Sequence, residues 1–120
     1  VVISPSIGLP EVLVITDDDM VNSWATQTSS EVRLHRLGKH RQLEGLVTDG
    51  TKNTTVFTLL AKDRPANDLL FASVIDASPY TAIVNVTAAG AVQVSLPGYA
   101  GATVTSSDSV TLSGISWYVD

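Results

Sequence analysis

Arg33, His35, Gln42, Glu44 and Tyr99 are the side chains in this sequence best suited to recognising a ligand. The first four alternate along two segments, 32–37 and 41–48, which flank Gly38-Lys39. They supply hydrogen-bond donors and acceptors of the kind that hold neutral saccharides, although such a row is otherwise simply a solvated sheet face. Tyr99 sits in Leu96-Pro97-Gly98-Tyr99-Ala100-Gly101, a Gly-rich loop. There its ring either stands out to stack on a sugar or a partner, or folds back over the core.

Catalytic chemistry is poorly represented. No G-x-S-x-G elbow occurs, and the serines fall in turns or on strand surfaces. Absence of cysteine removes thiol nucleophiles, disulfides and Cys-based metal sites. His35 and His40 lie across a hairpin tip rather than beside a pocket, and strand spacing brings them no third ligand. Asp17-Asp18-Asp19 lacks the ligand spacing of an EF-hand loop and reads as a helix cap. Apart from that run the acids are scattered singly, and nothing in their spacing points to the paired arrangement that glycoside hydrolysis requires. Neither a catalytic residue, a metal site nor a cofactor is expected.

The elements that must carry the candidate residues are strands. One expected helical turn lies at 17–24, where Asp17 or Asp18 caps a turn that gathers Met20, Val21 and Trp24 on one side. Strands are expected at 12–16, 32–37, 41–48, 54–60, 69–75, 80–87, 92–96 and 110–119. About eight short strands at near-regular spacing read as an all-β antiparallel sandwich or barrel. Residues 1–23 form an incoming strand or connector with the helical turn, and residues 24–120 form the β-sandwich domain. Trp24 and Trp117 each continue an apolar pattern and belong to the core or to a subunit interface.

Two local patterns carry more detail. A type II′ turn at Gly38-Lys39 pairs Leu34 with Leu43, Arg33 with Glu44 and His35 with Gln42. The same register sets Arg36 opposite Arg41, two like charges that should splay into solvent. In the last strand, Val110 and Leu112 share one face, whereas Ile115, Trp117 and Val119 fall on the other. A one-residue bulge at Ser113-Gly114 would restore a single buried face.

Composition excludes several classes. The 120 residues suffice for one domain, and 44% hydrophobic with only 16% charged residues argues against disorder. No apolar run approaches the roughly 20 residues that span a bilayer, and no signal-peptide pattern opens the chain, so membrane insertion is not expected. The net charge of −5 argues against nucleic acid. All seven Lys and Arg residues nevertheless lie between Arg33 and Arg64, beyond which only Asp68, Asp76, Asp108 and Asp120 are charged. A small β-rich chain without crosslinks commonly gains stability by association.

Several separated motifs resemble the terminal domains of bacteriophage tail-fibre and baseplate proteins. Residues 32–47 resemble a hairpin in which a basic strand ends at a Gly turn and returns as an apolar strand closing on Gly45. Val56-Phe57-Thr58-Leu59-Leu60, followed by Asp63-Arg64-Pro65-Ala66, resembles a "TLP…RPA" segment, with Leu60 in place of Pro. Phe71-Ala72 and Ala82–Val86, with the turn at Ala89-Gly90 before Val92, resemble a "DGTV" hairpin, with Ala89 in place of Asp. Val110 to Trp117 resembles a closing "V-x-L-x-G-I-x-F" strand. The resemblance spans positions 24–119. It implies a homotrimeric, non-enzymatic head on a virion fibre, at the tail tip, attached to other virion proteins and binding host cell-surface saccharide. Related modules decorate capsids instead and would bind no glycan.

Overall fold

The computed structural model describes residues 10–27, 30–75, 81–99, 101–105 and 108–119. Eleven strands run in chain order: β1 Glu11–Ile15, β2 Ala25–Thr26, β3 Val32–Leu37, β4 His40–Glu44, β5 Leu46–Thr48, β6 Thr54–Thr58, β7 Leu69–Val74, β8 Thr81–Val86, β9 Ala91–Ser95, β10 Val110–Thr111 and β11 Ser116–Tyr118. Every recorded strand pairing is antiparallel, and the helical content of the described residues is two single 3₁₀ turns. The fold is all-β, as expected, with eleven strands in place of about eight.

Three sheets form, in the orders β1-β3-β4-β11, β10-β5-β2 and β6-β9-β8-β7. The higher strand number comes mainly from two expected strands that each divide. Gly45 separates β4 from β5 at φ +116°, and a Cβ there would strike the Glu31 carbonyl and the Val32 backbone. Only glycine fits so close an approach. Directly across, Ser113-Gly114 separates β10 from β11. Ser116 pairs with Gln42 and Thr111 with Leu46, so the four residues 112–115 oppose the three residues 43–45. This is the expected extra residue, in the form of a turn where both segments, β4–β5 and β10–β11, pass from one sheet to the next. The Ser113 hydroxyl accepts the Gly45 N–H at 3.0 Å, and Val110, Leu112, Ile115 and Trp117 are all buried.

Alternation supplies the core. Val32 and Leu34 in β3, Leu43 in β4, Ala82, Val84 and Val86 in β8, and Val92 and Val94 in β9 all point inward. β6 departs from strict alternation. Its register slips between Thr55 and Phe57, so that Val56 and Phe57 are both buried. Trp24 and Trp117 both belong to the core of this chain.

The expected helical turn at 17–24 shrinks to one 3₁₀ turn, Asp17–Asp19. The Asp19 carboxylate accepts the Thr16 N–H at 2.9 Å, and Asp17 reaches forward to accept the Thr26 N–H at 2.7 Å. Asn22 and Ser23 then take φ values of +57° and +67°, which a right-handed helix cannot accommodate. Met20 and Trp24 are buried, whereas Val21 is exposed instead of joining them. β1 lies in the segment expected as an incoming strand or connector, where a strand was expected at 12–16, and it pairs along its whole length with β3.

Candidate functional site

The hairpin β3–β4 forms in the expected register: Arg33 with Glu44, Leu34 with Leu43, His35 with Gln42, and Arg36 with Arg41. Gly38 takes φ +57° in the first central position of the turn. Because side chains alternate, this register sends Leu34 and Leu43 inward and Arg33, His35, Gln42 and Glu44 outward. These four predicted residues therefore share one face. Arg33 and Gln42 are exposed, and His35 and Glu44 are half-buried.

The face is internally neutralised. Arg33 Nε donates to Glu31 Oε1 at 2.6 Å, and its NH1 lies 3.6 Å from Glu44 Oε1. His35 Nε2 stands 3.0 Å from the same Glu44 oxygen. An ionised carboxylate only accepts, so His35 presents its Nε2–H there. That hydrogen bond, with the charge of Arg33, holds the Glu44 carboxyl below its ordinary value; the Arg33 guanidinium is raised chiefly by its bond to Glu31.

Arg36 and Arg41 do not splay into solvent. Both turn to the inner side and converge on Asp63, which is fully buried. Arg36 binds it bidentately, Nε to Oδ1 at 2.7 Å and NH2 to Oδ2 at 2.6 Å, and Arg41 Nε reaches Oδ1 at 2.7 Å. Arg41 NH1 also donates to the carbonyls of Gly38 and His40. Burial pushes the Asp63 carboxyl up, but the bonds and charges of the two arginines outweigh this and hold it below its ordinary value. The Asp63 carbonyl accepts the Trp117 indole N–H at 2.8 Å. Sequence reasoning saw two repelling cations because their counter-charge lies 22 residues beyond Arg41, in the 3₁₀ turn Ala61–Asp63.

The same anchor explains an aromatic that the sequence reading passed over. β11 pairs with β4, Trp117 beside Arg41 and Tyr118 beside His40. With Trp117 held inward, Tyr118 must face outward, where it is 74% exposed. It is the one aromatic among the described residues whose ring stands mostly in solvent. Its ring lies 5.0 Å from that of His40, tilted by 51°. The available signal was parity in the closing strand, since a buried Trp117 requires an outward Tyr118.

Tyr99, by contrast, is folded back and only 7% exposed. Its hydroxyl donates to Asp108 Oδ2 at 2.8 Å, and its carbonyl accepts from Lys52 Nζ at 2.6 Å. Its hydroxyl pKa is raised by burial and by the Asp108 bond. The ring is thus spent on closing the loop after β9, and the structure does not bring it to the face carrying Arg33, His35, Gln42 and Glu44.

His35 and His40 do line a depression, contrary to the sequence expectation. It measures about 350 Å³ and is also bordered by Gln42, Glu44, Arg36 and Leu37. A second trough, of about 360 Å³, lies along β11 and β7 and is bordered by Pro65, Asn67, Phe71, Trp117 and Tyr118. No group of three or more metal-ligating side chains occurs among the described residues. Asp17 and Asp18 border a further depression, but Asp17 is engaged as a backbone cap.

No family model matches the chain, and no curated protein matches it in sequence. Among solved structures, it is similar to the receptor binding protein gp15 of Listeria phage PSA. The TM-score is 0.70, with 14% identity, over 94% of this chain and 67% of that one. The two proteins share a fold. At this identity the likeness concerns the path of the backbone, so the roles of individual residues rest on the geometry above.

Proposed function

We propose that this protein is an adsorption module of a phage virion, a non-enzymatic β head that holds host cell-surface saccharide. The observation that carries the reading is the fold it shares with a phage receptor-binding protein over 94% of its length. The solvent-facing row of Arg33, His35, Gln42 and Glu44, next to a depression of about 350 Å³, is the supporting feature. The ligand interacts through hydrogen bonds to the Gln42 amide, the Arg33 guanidinium and the His35–Glu44 pair. Tyr99 takes no part as a stacking surface, because its ring is buried.

In this reading the head is a homotrimer mounted on other virion proteins at the tail tip. Each site is shallow, and simultaneous engagement of three raises adhesion well above that of one. The experiment is competition: soluble protein added to host cells before phage should block adsorption, and fluorescently labelled protein should decorate the envelope. An Arg33→Ala/Gln42→Ala double variant should lose decoration while melting like the parent, since both side chains are exposed. Absence of decoration, or particles carrying the chain on the capsid rather than the tail, would overturn the reading.

A further inference from the structure

We infer that Tyr118 is the stacking platform of this site, and that the ligand it takes is a neutral glycan of at least two sugar rings that straddles it. The inference rests on the adsorption reading above and specifies its ligand. Tyr118 projects from β11 with 74% of its surface in solvent, an arrangement that costs apolar hydration and that its neighbour Trp117 avoids at 4%. The ring is nonetheless held in place. His40 supports it from the paired position at a tilted 5.0 Å contact, and the backbone beneath is fixed by the Trp117 bond to Asp63. A fixed, exposed aromatic face presents negative π density to the positively polarised C–H groups of a pyranose.

The surroundings of the ring specify the rest. Tyr118 itself borders the trough formed with Pro65, Ala66, Asn67, Phe71 and Trp117, and His40, its ring neighbour, borders the depression formed with His35 and Gln42. Each is near 350 Å³, at the lower end of the roughly 300–1,000 Å³ typical of small-ligand sites, so each suits one sugar unit. The trough has an apolar lining with the Asn67 amide and the Ser116 hydroxyl as polar handles, and it contains no charged side chain. The depression contains one arginine, Arg36, which is committed to Asp63 at 2.6 Å and lies 3.7 Å from Glu11. Neither recess offers an unpaired guanidinium or ammonium to a phosphate or carboxylate, and Glu44 would repel one. Charge therefore selects an uncharged glycan over an anionic polymer.

The test is an immobilised microbial glycan array carrying neutral, phosphorylated and uronic-acid glycans, probed with the full chain and with its Tyr118→Ala, Tyr118→Phe and Arg33→Ala/Gln42→Ala variants. Thermal melting serves as the folding check. The expected result is binding confined to neutral glycans, lost about tenfold or more in Tyr118→Ala and retained in Tyr118→Phe. Binding by the parent that Tyr118→Ala leaves unchanged overturns the platform, and binding only to anionic glycans overturns the ligand class; both leave adsorption standing. No binding by the parent to the array or to host envelopes overturns the adsorption reading and this inference with it.

Discussion

Replacing Asp63 with Asn should be among the most damaging single changes in this protein. The substitution keeps the shape of the side chain but removes the one negative charge shared by Arg36 and Arg41, whose side chains are 11% and 8% exposed. Each pair is worth about 4 kcal/mol of direct attraction at an effective dielectric of about 20, before desolvation is subtracted. Breaking a buried ion pair by removing one partner costs about 3–5 kcal/mol, because an uncompensated charge is left behind. Against a total stability of about 5–15 kcal/mol, that is about a fifth at the least and more in a less stable domain. For a domain of this size, it corresponds to a fall in Tm of about 12–20 °C, at roughly 4 °C per kcal/mol. The assay is thermal and urea unfolding followed by circular dichroism at pH 7. A triple change, Arg36→Met/Arg41→Met/Asp63→Leu, removes all three charges and should recover much of the loss. The pH dependence gives an independent check. Asp63 is held below its ordinary carboxyl value in the folded state, so its stabilisation is complete above that ordinary value. It is lost as pH falls through the depressed folded value, and the Asn variant should lack this component of the acid limb. A Tm within about 2 °C of the parent, far short of the predicted fall, would refute the claim that the cluster holds the hairpin to the 3₁₀ turn.

Gly50→Ala should lower the Tm measurably, because the new Cβ would fall inside the Trp24 indole; overpacking of this kind costs about 1–3 kcal/mol, read by the same unfolding curves. Tyr99→Phe should cost about 0.5–1.5 kcal/mol through loss of the hydroxyl bond to Asp108, yet leave envelope decoration unchanged. A loss of decoration without a loss of stability would return Tyr99 to the binding face.

The binding face was partly legible because its causes are local. A Gly turn between two alternating segments fixes a hairpin register, and register alone decides that Arg33, His35, Gln42 and Glu44 stand together. The aromatic was harder to assign. Tyr99 lies in a Gly-rich loop, where no alternation sets the direction of its ring, and Tyr118 at a strand end, where parity with Trp117 does; one is buried and the other exposed. The non-local part concerns Tyr99, which Asp108 and Lys52 claim; for Tyr118 the adjacent Trp117 takes the inner side of β11 and leaves it the outer. The depressions beside the row were equally invisible, since one is bordered by residues as far apart in sequence as Pro65 and Tyr118.

By itself the sequence determined the all-β class, the β3–β4 register with Leu34 and Leu43 on one apolar face, and the extra residue near Ser113-Gly114. Each follows from a period of two, a turn residue or a parity change, and these act over a few residues. Only the tertiary structure decided how the clustered cations are used. Arg36 and Arg41 looked like a repulsion at an exposed tip until the chain brought Asp63 beneath them. A buried carboxylate 22 residues past Arg41 leaves no local trace, because its pairing depends on how two sheets are joined rather than on any neighbour in the chain.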